Sequence, residues 1–137
     1  MAPSLAAACA LALLAAPLAP ARGAGGERGS VGLDGERVPV VWTDGDSFRI
    51  EGGSLRGRQA RLAGVNALET AGPVHRFAGA TPDRLLAVAR ASAGIAASGE
   101  RTCAAPGRAD GYGRLLVDCP DAAMDLVRRG HAMVFAV

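Results

Sequence analysis

The sequence predicts a mainly β domain with two helices, and three observations lead to this fold class. Three short runs rich in β-branched or alternating residues follow one another across turn signals. A segment with helical periodicity comes next, and two further strand-like runs precede a second helical segment. This order is compatible with a five-stranded barrel of the OB type, with one helix between strands 3 and 4 and one after strand 5.

The first 24 residues are predicted to be a secretory signal peptide. The apolar run over residues 5–16 is shorter than the roughly 20 residues that a membrane-spanning helix needs. Small residues follow this run and suit signal-peptidase cleavage after Ala21 or Ala24. An uncleaved N-terminal anchor is the alternative interpretation of the same run.

Residues 25–36 carry glycine and charge without hydrophobic periodicity, which predicts a flexible linker. The folded domain is therefore expected over residues 37–137. All fifteen basic residues of the chain are arginines, and the formal net charge is only +2. Because so small a charge does not attract a polyanion strongly, any binding of nucleic acid has to come from individually placed arginines.

The first three strands are expected at residues 37–43, 46–51 and 58–65. The first run is rich in β-branched residues, and the second alternates apolar and polar side chains. The Asp-Gly pair at 44–45 is typical of a hairpin turn, and the glycine-containing stretch 52–57 indicates a second turn.

A long loop punctuated by glycine and proline is expected at residues 66–80, followed by a helix at 83–98. Thr81 supplies a capping hydroxyl, and Pro82 suits the first helical turn. Apolar residues recur at helical spacing along the segment, although Gly94 lowers its helix propensity.

Strands four and five are expected at residues 101–105 and 114–119, joined by a segment rich in turn residues. A second helix is expected at residues 120–130. Pro120 suits its first position, and Gly130 suits its end.

The two cysteines beyond the signal segment, Cys103 and Cys119, are predicted to form a disulfide. They flank the turn of the last hairpin, and Gly111 lies midway between them, where a hairpin tip needs a positive φ. Opposed residues on antiparallel strands lie within disulfide reach. The bond would agree with export to an oxidising compartment, and two buried free thiols are the alternative.

Three short motifs lie along the predicted domain. They are Asp-Gly-Asp-Ser at residues 44–47, Arg-Leu-Ala-Gly-Val-Asn-Ala-Leu-Glu at 61–69 and Asp-Gly-Tyr-Gly-Arg at 110–114. Each motif alone has an ordinary interpretation as turn or surface sequence. Together, with the expected elements between them, they resemble the staphylococcal-nuclease (thermonuclease) family over about residues 38–135.

The resemblance implies a Ca²⁺-dependent nuclease that cleaves a phosphodiester by attack of water on phosphorus. Arg61 and Arg114 would hold the phosphate, because a guanidinium binds two phosphate oxygens and stabilises the charge of the transition state. Glu69 would accept a proton from the attacking water or orient it. The resemblance also implies a phosphate contact and three oxygen ligands for the cation: Tyr112 for the phosphate, and Asp46, Asn66 and the backbone carbonyl of Ala67 for Ca²⁺.

Three positions depart from the family's usual pattern. Asn66 stands where the family has Asp, and its uncharged amide predicts weaker metal affinity. Leu68 stands in place of a proline before Glu69, which predicts a less rigid loop. Relatives commonly carry a tyrosine and a further helix after the barrel, and neither is expected here, where only Phe135 offers an aromatic ring.

The two histidines and two of the aromatic residues are not assigned to the site. His75 and His131 have no partners at metal-ligand spacing. Trp42 and Phe48 are expected in the barrel core or at its rim.

The sequence therefore predicts a secreted or periplasmic nuclease that hydrolyses DNA and, as a second substrate, RNA. It is expected to be a monomer with no stable protein partner and no membrane contact after signal cleavage. One alternative is a catalytically weak OB-fold module that binds nucleic acid, which Asn66 and the low net charge favour. The other is a structural or interaction domain with a vestigial site, and the joint presence of both arginines and both carboxylates argues against it.

Overall fold

The structure, a computed structural model, describes residues 25–69 and 79–135. The predicted signal peptide, the middle of the loop expected at 66–80 and His75 lie outside these ranges. Within them the chain forms eight strands and two helices: β1 (Glu27–Leu33), β2 (Glu36–Trp42), β3 (Ser47–Ile50), β4 (Gln59–Leu62), β5 (Val65–Ala67), α1 (Pro82–Ala97), β6 (Thr102–Cys103), β7 (Leu115–Val117), α2 (Pro120–Arg128) and β8 (Ala132–Val134).

Six of the strands form one sheet in the order β6-β1-β2-β3-β4-β7. Strands β1 to β4 are an antiparallel meander, whereas β6 pairs in parallel with β1 and β7 pairs in parallel with β4. The two ends of the sheet meet at an antiparallel bridge between Ala104 and Asp118, which nearly closes it into a barrel. The mainly β class is confirmed, and the nearly closed sheet is consistent with the predicted OB type.

The strand count and the helix position differ from the prediction. The segment expected as one strand at 58–65 is divided, because Ala63 and Gly64 form a turn in which Gly64 has a φ of 77°. Beyond this turn β5 leaves the barrel sheet and pairs with β8 in a separate two-stranded sheet. The first helix therefore follows β5 rather than the third strand. Leu62, Ala63 and Val65 on either side of Gly64 are all apolar, so the sequence pattern alone did not indicate the turn.

The predicted linker at 25–36 is wrong, because most of it is β1 and the turn that joins β1 to β2. Val31 and Leu33 are buried in the core, and β1 pairs with β2 along its whole length. Asp34 and Gly35 connect the strands with φ angles of 50° and 88°, as a tight hairpin turn requires. The folded domain thus includes β1. Glycines interrupt the alternation of this strand, and the turn pair Asp34-Gly35 is the sequence feature that could have indicated a hairpin here.

Apolar side chains from the sheet fill the barrel interior. Trp42 and Phe48 are both fully buried, with ring centroids 4.5 Å apart, which confirms their expected place in the core. Buried and more exposed positions alternate along β2 and β4, as the two-residue period of a strand requires. The two helices pack against each other, and α1 also packs on β1 and β2, so the helices extend the core beyond the barrel.

Side chains hold both ends of α1. The hydroxyl of Thr81 accepts a hydrogen bond from Arg84 N at 3.4 Å, in the capping role that the sequence predicted. At the other end the buried guanidinium of Arg101 donates to the carbonyl of Ile95 at 2.7 Å and pairs with Asp125 of α2 at 2.9 Å. Arg101 therefore joins the end of α1 to α2. Neither helix in the described ranges is long and apolar enough to cross a lipid bilayer.

The disulfide between Cys103 and Cys119 is confirmed, with a Cα–Cα distance of 4.3 Å. It lies next to the bridge that nearly closes the barrel, so it fastens the same seam covalently.

The tip of this hairpin differs from the prediction in one respect. The left-handed backbone conformation belongs to Gly113, with a φ of 79°, and Gly111 does not adopt a positive φ. Nearer the tip, Ala109 pairs with Leu115, so the pairing there is centred on residue 112 rather than 111. This shift in register moves the strained position towards β7.

Candidate functional site

The connection between β2 and β3 places two aspartates side by side. Asp44 and Asp46 flank Gly45, and the backbone N–H of Asp46 donates to Asp44 Oδ1 at 3.1 Å. A hydrogen bond from Thr43 N to Ser47 O, 2.9 Å long, closes the turn. The Asp-Gly pair that the sequence indicated as a hairpin turn is therefore part of a turn that carries two carboxylates.

Gly45 is required in this turn because the backbone approaches three other elements closely. A Cβ atom at this position would lie 2.8 Å from Ser92 Cβ in α1 and 3.0 Å from Ala67 Cβ in β5. It would also lie 3.3 Å from Leu126 Cδ2 in α2. Since a packed interior has no room for such an atom, glycine allows the turn to sit against the helices and fixes where its carboxylates lie.

Asp46 is fully buried and hydrogen-bonded on both carboxylate oxygens. Its Oδ2 accepts from Ala67 N at 2.8 Å, and its Oδ1 accepts from Ser47 Oγ at 3.0 Å. Arg61 Nη2 lies 3.4 Å from Oδ2, and the backbone carbonyl accepts from Leu62 N at 2.7 Å. A buried carboxyl group needs such partners to replace the hydrogen bonds that it loses to water, and they hold this one in a single orientation.

Asp44, Asp46 and Glu69 form a cluster in which one carboxylate oxygen of each residue lies within 4.8 Å of the other two. The first two are buried, and Glu69 is half-buried. Burial, the neighbouring Asp46 carboxyl and the charge of Glu69 together raise the pKa of Asp44 to about 8. Three crowded carboxyl groups are hard oxygen ligands whose mutual repulsion a bound cation relieves, so the cluster could hold a metal ion.

Arg61 extends from β4 beside this cluster. It is the register partner of Ser47 on β3, so the two side chains lie on the same face of the sheet. Its Nη2 donates to Asn66 Oδ1 at 2.8 Å, in addition to its contact with Asp46. The Arg61 side chain is only 18% exposed, so its guanidinium is held in place beside the acidic cluster.

Arg114 reaches the same place from the residue before β7. Its Nη1 donates to Ser47 Oγ at 3.4 Å, and that hydroxyl in turn donates to Asp46. Its Nε donates to Asp110 Oδ2 at 2.7 Å. The side chain of Tyr112 is exposed next to it, with its ring centroid 5.5 Å from the Arg114 guanidinium carbon.

The structure brings most of the predicted site residues to one place around Asp46. Arg61 contacts Asp46 directly, and Glu69 lies in the same carboxylate cluster. Arg114 reaches Asp46 through a shared hydroxyl. The remaining predicted residues make other contacts: Asn66 accepts from Arg61 through its amide oxygen, Ala67 donates its backbone N–H to Asp46, and Tyr112 lies at the exposed edge beside Arg114.

Three contributors were absent from the prediction. Asp44 was interpreted only as a turn residue, although its position two residues before Asp46 could have indicated a paired carboxylate. Ser47 is the last residue of the first motif and Asp110 is the first residue of the third, and nothing else in the sequence indicated their roles. His131 was interpreted as having no partner at metal-ligand spacing, and its Nδ1 lies 3.0 Å from Ser92 Oγ, behind the Gly45 turn.

Comparisons of the chain with protein-family models, with curated proteins and with solved structures find no match.

Proposed function

We propose that this protein is a secreted, Ca²⁺-dependent nuclease that hydrolyses phosphodiester bonds in DNA and RNA. The observation that carries the proposal is the arrangement around Ser47, where two guanidinium groups flank a cluster of three carboxyl groups. Phosphodiester hydrolysis needs cationic donors for the phosphate and carboxylates for a metal ion and for a proton. The resemblance of the three motifs to the staphylococcal-nuclease family supports the same chemistry.

The two arginines would bind the scissile phosphate. A guanidinium has five N–H donors, and the contacts of Arg114 with Asp110 and Ser47 use only its Nε and one Nη1 hydrogen. The remaining donors of Arg61 and Arg114 would clamp phosphate oxygens between them. Because the five-coordinate transition state carries more negative charge than the ground state, fixed guanidinium groups stabilise it preferentially.

The carboxylates would divide between metal binding and proton transfer. Asp46 would be the central ligand of a Ca²⁺ ion, with Asp44 close enough to share the cation and the amide oxygen of Asn66 at the edge. When bound, the ion would polarise the phosphate and position water. Glu69 would take a proton from that water. As it does so, the water oxygen bonds to phosphorus and the ester bond between phosphorus and the leaving oxygen breaks. Solvent would then protonate the leaving oxygen.

The test of this proposal uses purified protein with denatured DNA, and in parallel with RNA, in Ca²⁺ or in chelator. The wild type is expected to cleave in Ca²⁺ and not in chelator. Arg61→Ala and Glu69→Ala are each expected to lower the rate of cleavage at least about 100-fold. Arg37→Ala and Glu100→Ala are matched controls, because these residues form an exposed ion pair apart from the cluster. Thermal unfolding of every variant separates loss of chemistry from loss of fold. Cleavage that persists in chelator or in both site variants would contradict the proposal.

The second candidate is a module that binds nucleic acid without cutting it. Asn66 favours this candidate, because its amide oxygen accepts from Arg61 and brings no charge to a cation. A binding module would retard labelled single-stranded DNA in a gel and leave it intact in Ca²⁺. Arg61→Ala would then abolish the retardation, and Glu69→Ala would not weaken it.

A further inference from the structure

The loop that carries Arg114 is closed by its own backbone. Asp110 N donates to Arg114 O at 2.9 Å, and Gly113 N donates to Asp110 O at 3.0 Å. The positive φ of Gly113, 79°, lets the chain turn within these five residues. Arg114 therefore leaves the loop at a defined point directly before β7.

The carboxylate of Asp110 fixes both the loop and the side chain of Arg114. Its Oδ1 accepts from the backbone N–H groups of Tyr112 and Arg114, each at 2.9 Å. Its Oδ2 accepts from Arg114 Nε at 2.7 Å. One carboxylate thus holds the start of the arginine backbone and the base of its guanidinium at the same time.

The ionised form of Asp110 is favoured at neutral pH. Burial opposes ionisation, but the hydrogen bonds from the Arg114 side chain and from the two backbone N–H groups outweigh it and lower the pKa of Asp110. The contact with Nε is therefore a charge-assisted hydrogen bond, which is stronger and more directional than a neutral one.

The anchored Nε determines where the other end of the guanidinium lies. With Nε held by Asp110, the planar group places Nη1 3.4 Å from Ser47 Oγ, at the edge of the acidic cluster. An arginine without this anchor has several rotatable bonds and would lose the orientation on binding and release of a ligand. Its terminal N–H groups would then not be held towards a bound phosphate.

We propose that Asp110 is a positioning residue that holds the Arg114 guanidinium with its terminal N–H groups towards the scissile phosphate. The inference rests on the proposed nuclease function and adds a residue to its machinery. A misdirected guanidinium stabilises the transition state less well, because that is where the additional negative charge of the phosphate develops. Loss of Asp110 therefore lowers kcat more than it changes KM. A residue that only stabilised the loop would instead alter thermal stability and leave kcat of the folded enzyme unchanged.

The test substitutes Asp110→Asn in the full, disulfide-bonded protein and measures kcat and KM on single-stranded DNA in Ca²⁺. The amide oxygen of asparagine still accepts from the two backbone N–H groups, but its NH₂ group cannot accept from Nε. Asp118→Asn is the matched control, since Asp118 makes an exposed pair with Arg108 at 3.7 Å and no contact with Arg114. A fall in kcat of about 10- to 100-fold with KM within about threefold is expected, with the control unchanged.

A double-variant cycle distinguishes positioning from an independent effect. In an Arg114→Ala background, Asp110→Asn is expected to cause no further fall in kcat, because Asp110 acts through the arginine that has been removed. Wild-type kcat in Asp110→Asn, or an equal fall in both backgrounds, overturns the inference and leaves the nuclease proposal standing. A wild-type protein that does not cut overturns both. If Asp110→Asn does not fold, Asp110→Ser carries the same comparison, because its hydroxyl can also accept in a turn.

Discussion

Single residues decide the charge balance of the site, and Asp44 is the clearest example. The pKa of its carboxyl rises from an ordinary 3.8 to about 8 on folding, first through burial and then through the neighbouring Asp46 and Glu69. The folded protein therefore keeps a proton that the unfolded chain releases between these two values. By linkage, the free energy of unfolding falls as the pH rises from about 4 to about 8 in the absence of a cation.

Asp44→Asn is expected to remove most of this pH dependence. The amide retains the hydrogen bond from Asp46 N but has no proton to lose, so in chelator at pH 8 the variant should be more stable by roughly 1–3 kcal/mol. Denaturant unfolding at pH 5 and pH 8 measures the effect, with the exposed Asp118→Asn as control. An unchanged slope of stability against pH in Asp44→Asn would show that Asp44 does not carry this titration. Added Ca²⁺ should stabilise the wild type more than the variant, because the cation offsets the repulsion.

Residue roles were only partly accessible from the sequence. Arg61 and Glu69 could be selected because they belong to one motif, and Arg114 because it ends another. The contact of Asn66 with Arg61 depends on the turn at Gly64, which sends β5 away from β4 and back past the arginine. The spacing of residues in the sequence does not show in which direction the chain leaves this turn, so the partner of Asn66 could not be predicted.

At the scale of elements, the turn between β2 and β3 depends on its close contact with both helices. Gly45→Ala would put a methyl group within 2.8 Å of Ser92 Cβ, and the nearest atoms on β5 and α2 leave it no other space. We expect a loss of about 1–3 kcal/mol in the free energy of unfolding, from overpacking. We also expect weaker Ca²⁺ affinity, since the turn that carries Asp44 and Asp46 must shift.

Gly111→Ala is the matched control for this prediction. A Cβ at Gly111 has no atom within 4 Å, and its φ is not positive. Denaturant unfolding and Ca²⁺ titration should leave this variant near wild type. If the two alanine variants had the same stability and the same Ca²⁺ affinity, the turn would not depend on its close contact with β5 and the two helices.

Most elements could be predicted from local sequence, and the two failures each involve glycines. Both helices, with Thr81 and Pro120 at their starts, follow from capping chemistry and periodicity. β1 was missed because two glycines stand within it, and Gly29 is there to accommodate the end of α1, with Ala97 O 3.1 Å from a Cβ at this position. In the sequence, a glycine that is required by close packing against another element cannot be distinguished from a glycine in a flexible linker. The division between β4 and β5 was missed for another reason: Gly64 has no atom within 4 Å of a Cβ and serves the turn through its positive φ, which the sequence pattern does not show.

At the scale of the whole molecule, the Cys103–Cys119 disulfide fastens the seam of the barrel. It also closes the hairpin whose tip carries Asp110 and Arg114. With a sequence separation of 16 residues, the bond should contribute about 3 kcal/mol, chiefly by restricting the unfolded chain. Replacing both cysteines by alanine should lower stability by that amount. Under the proposed function, it should also lower the temperature at which nuclease activity is lost.

Chemical reduction provides the control for this prediction. A reducing agent should lower the unfolding temperature of the wild type to near that of the variant without cysteines and should leave the variant unchanged. A wild type whose stability does not respond to complete reduction would show that packing alone holds the seam.

The parallel pairings of β6 with β1 and of β7 with β4 join strands that are far apart in the chain. Neither pairing can form until the later strand has been synthesised, so the sheet closes only after a long intervening segment is complete. The acidic turn at residues 44–46 is therefore made well before Arg114, which directly precedes β7. Under the proposed function, a copy that is unfolded or that stops before Arg114 would carry the acidic turn without the second arginine beside it and could not hold the phosphate between two guanidinium groups.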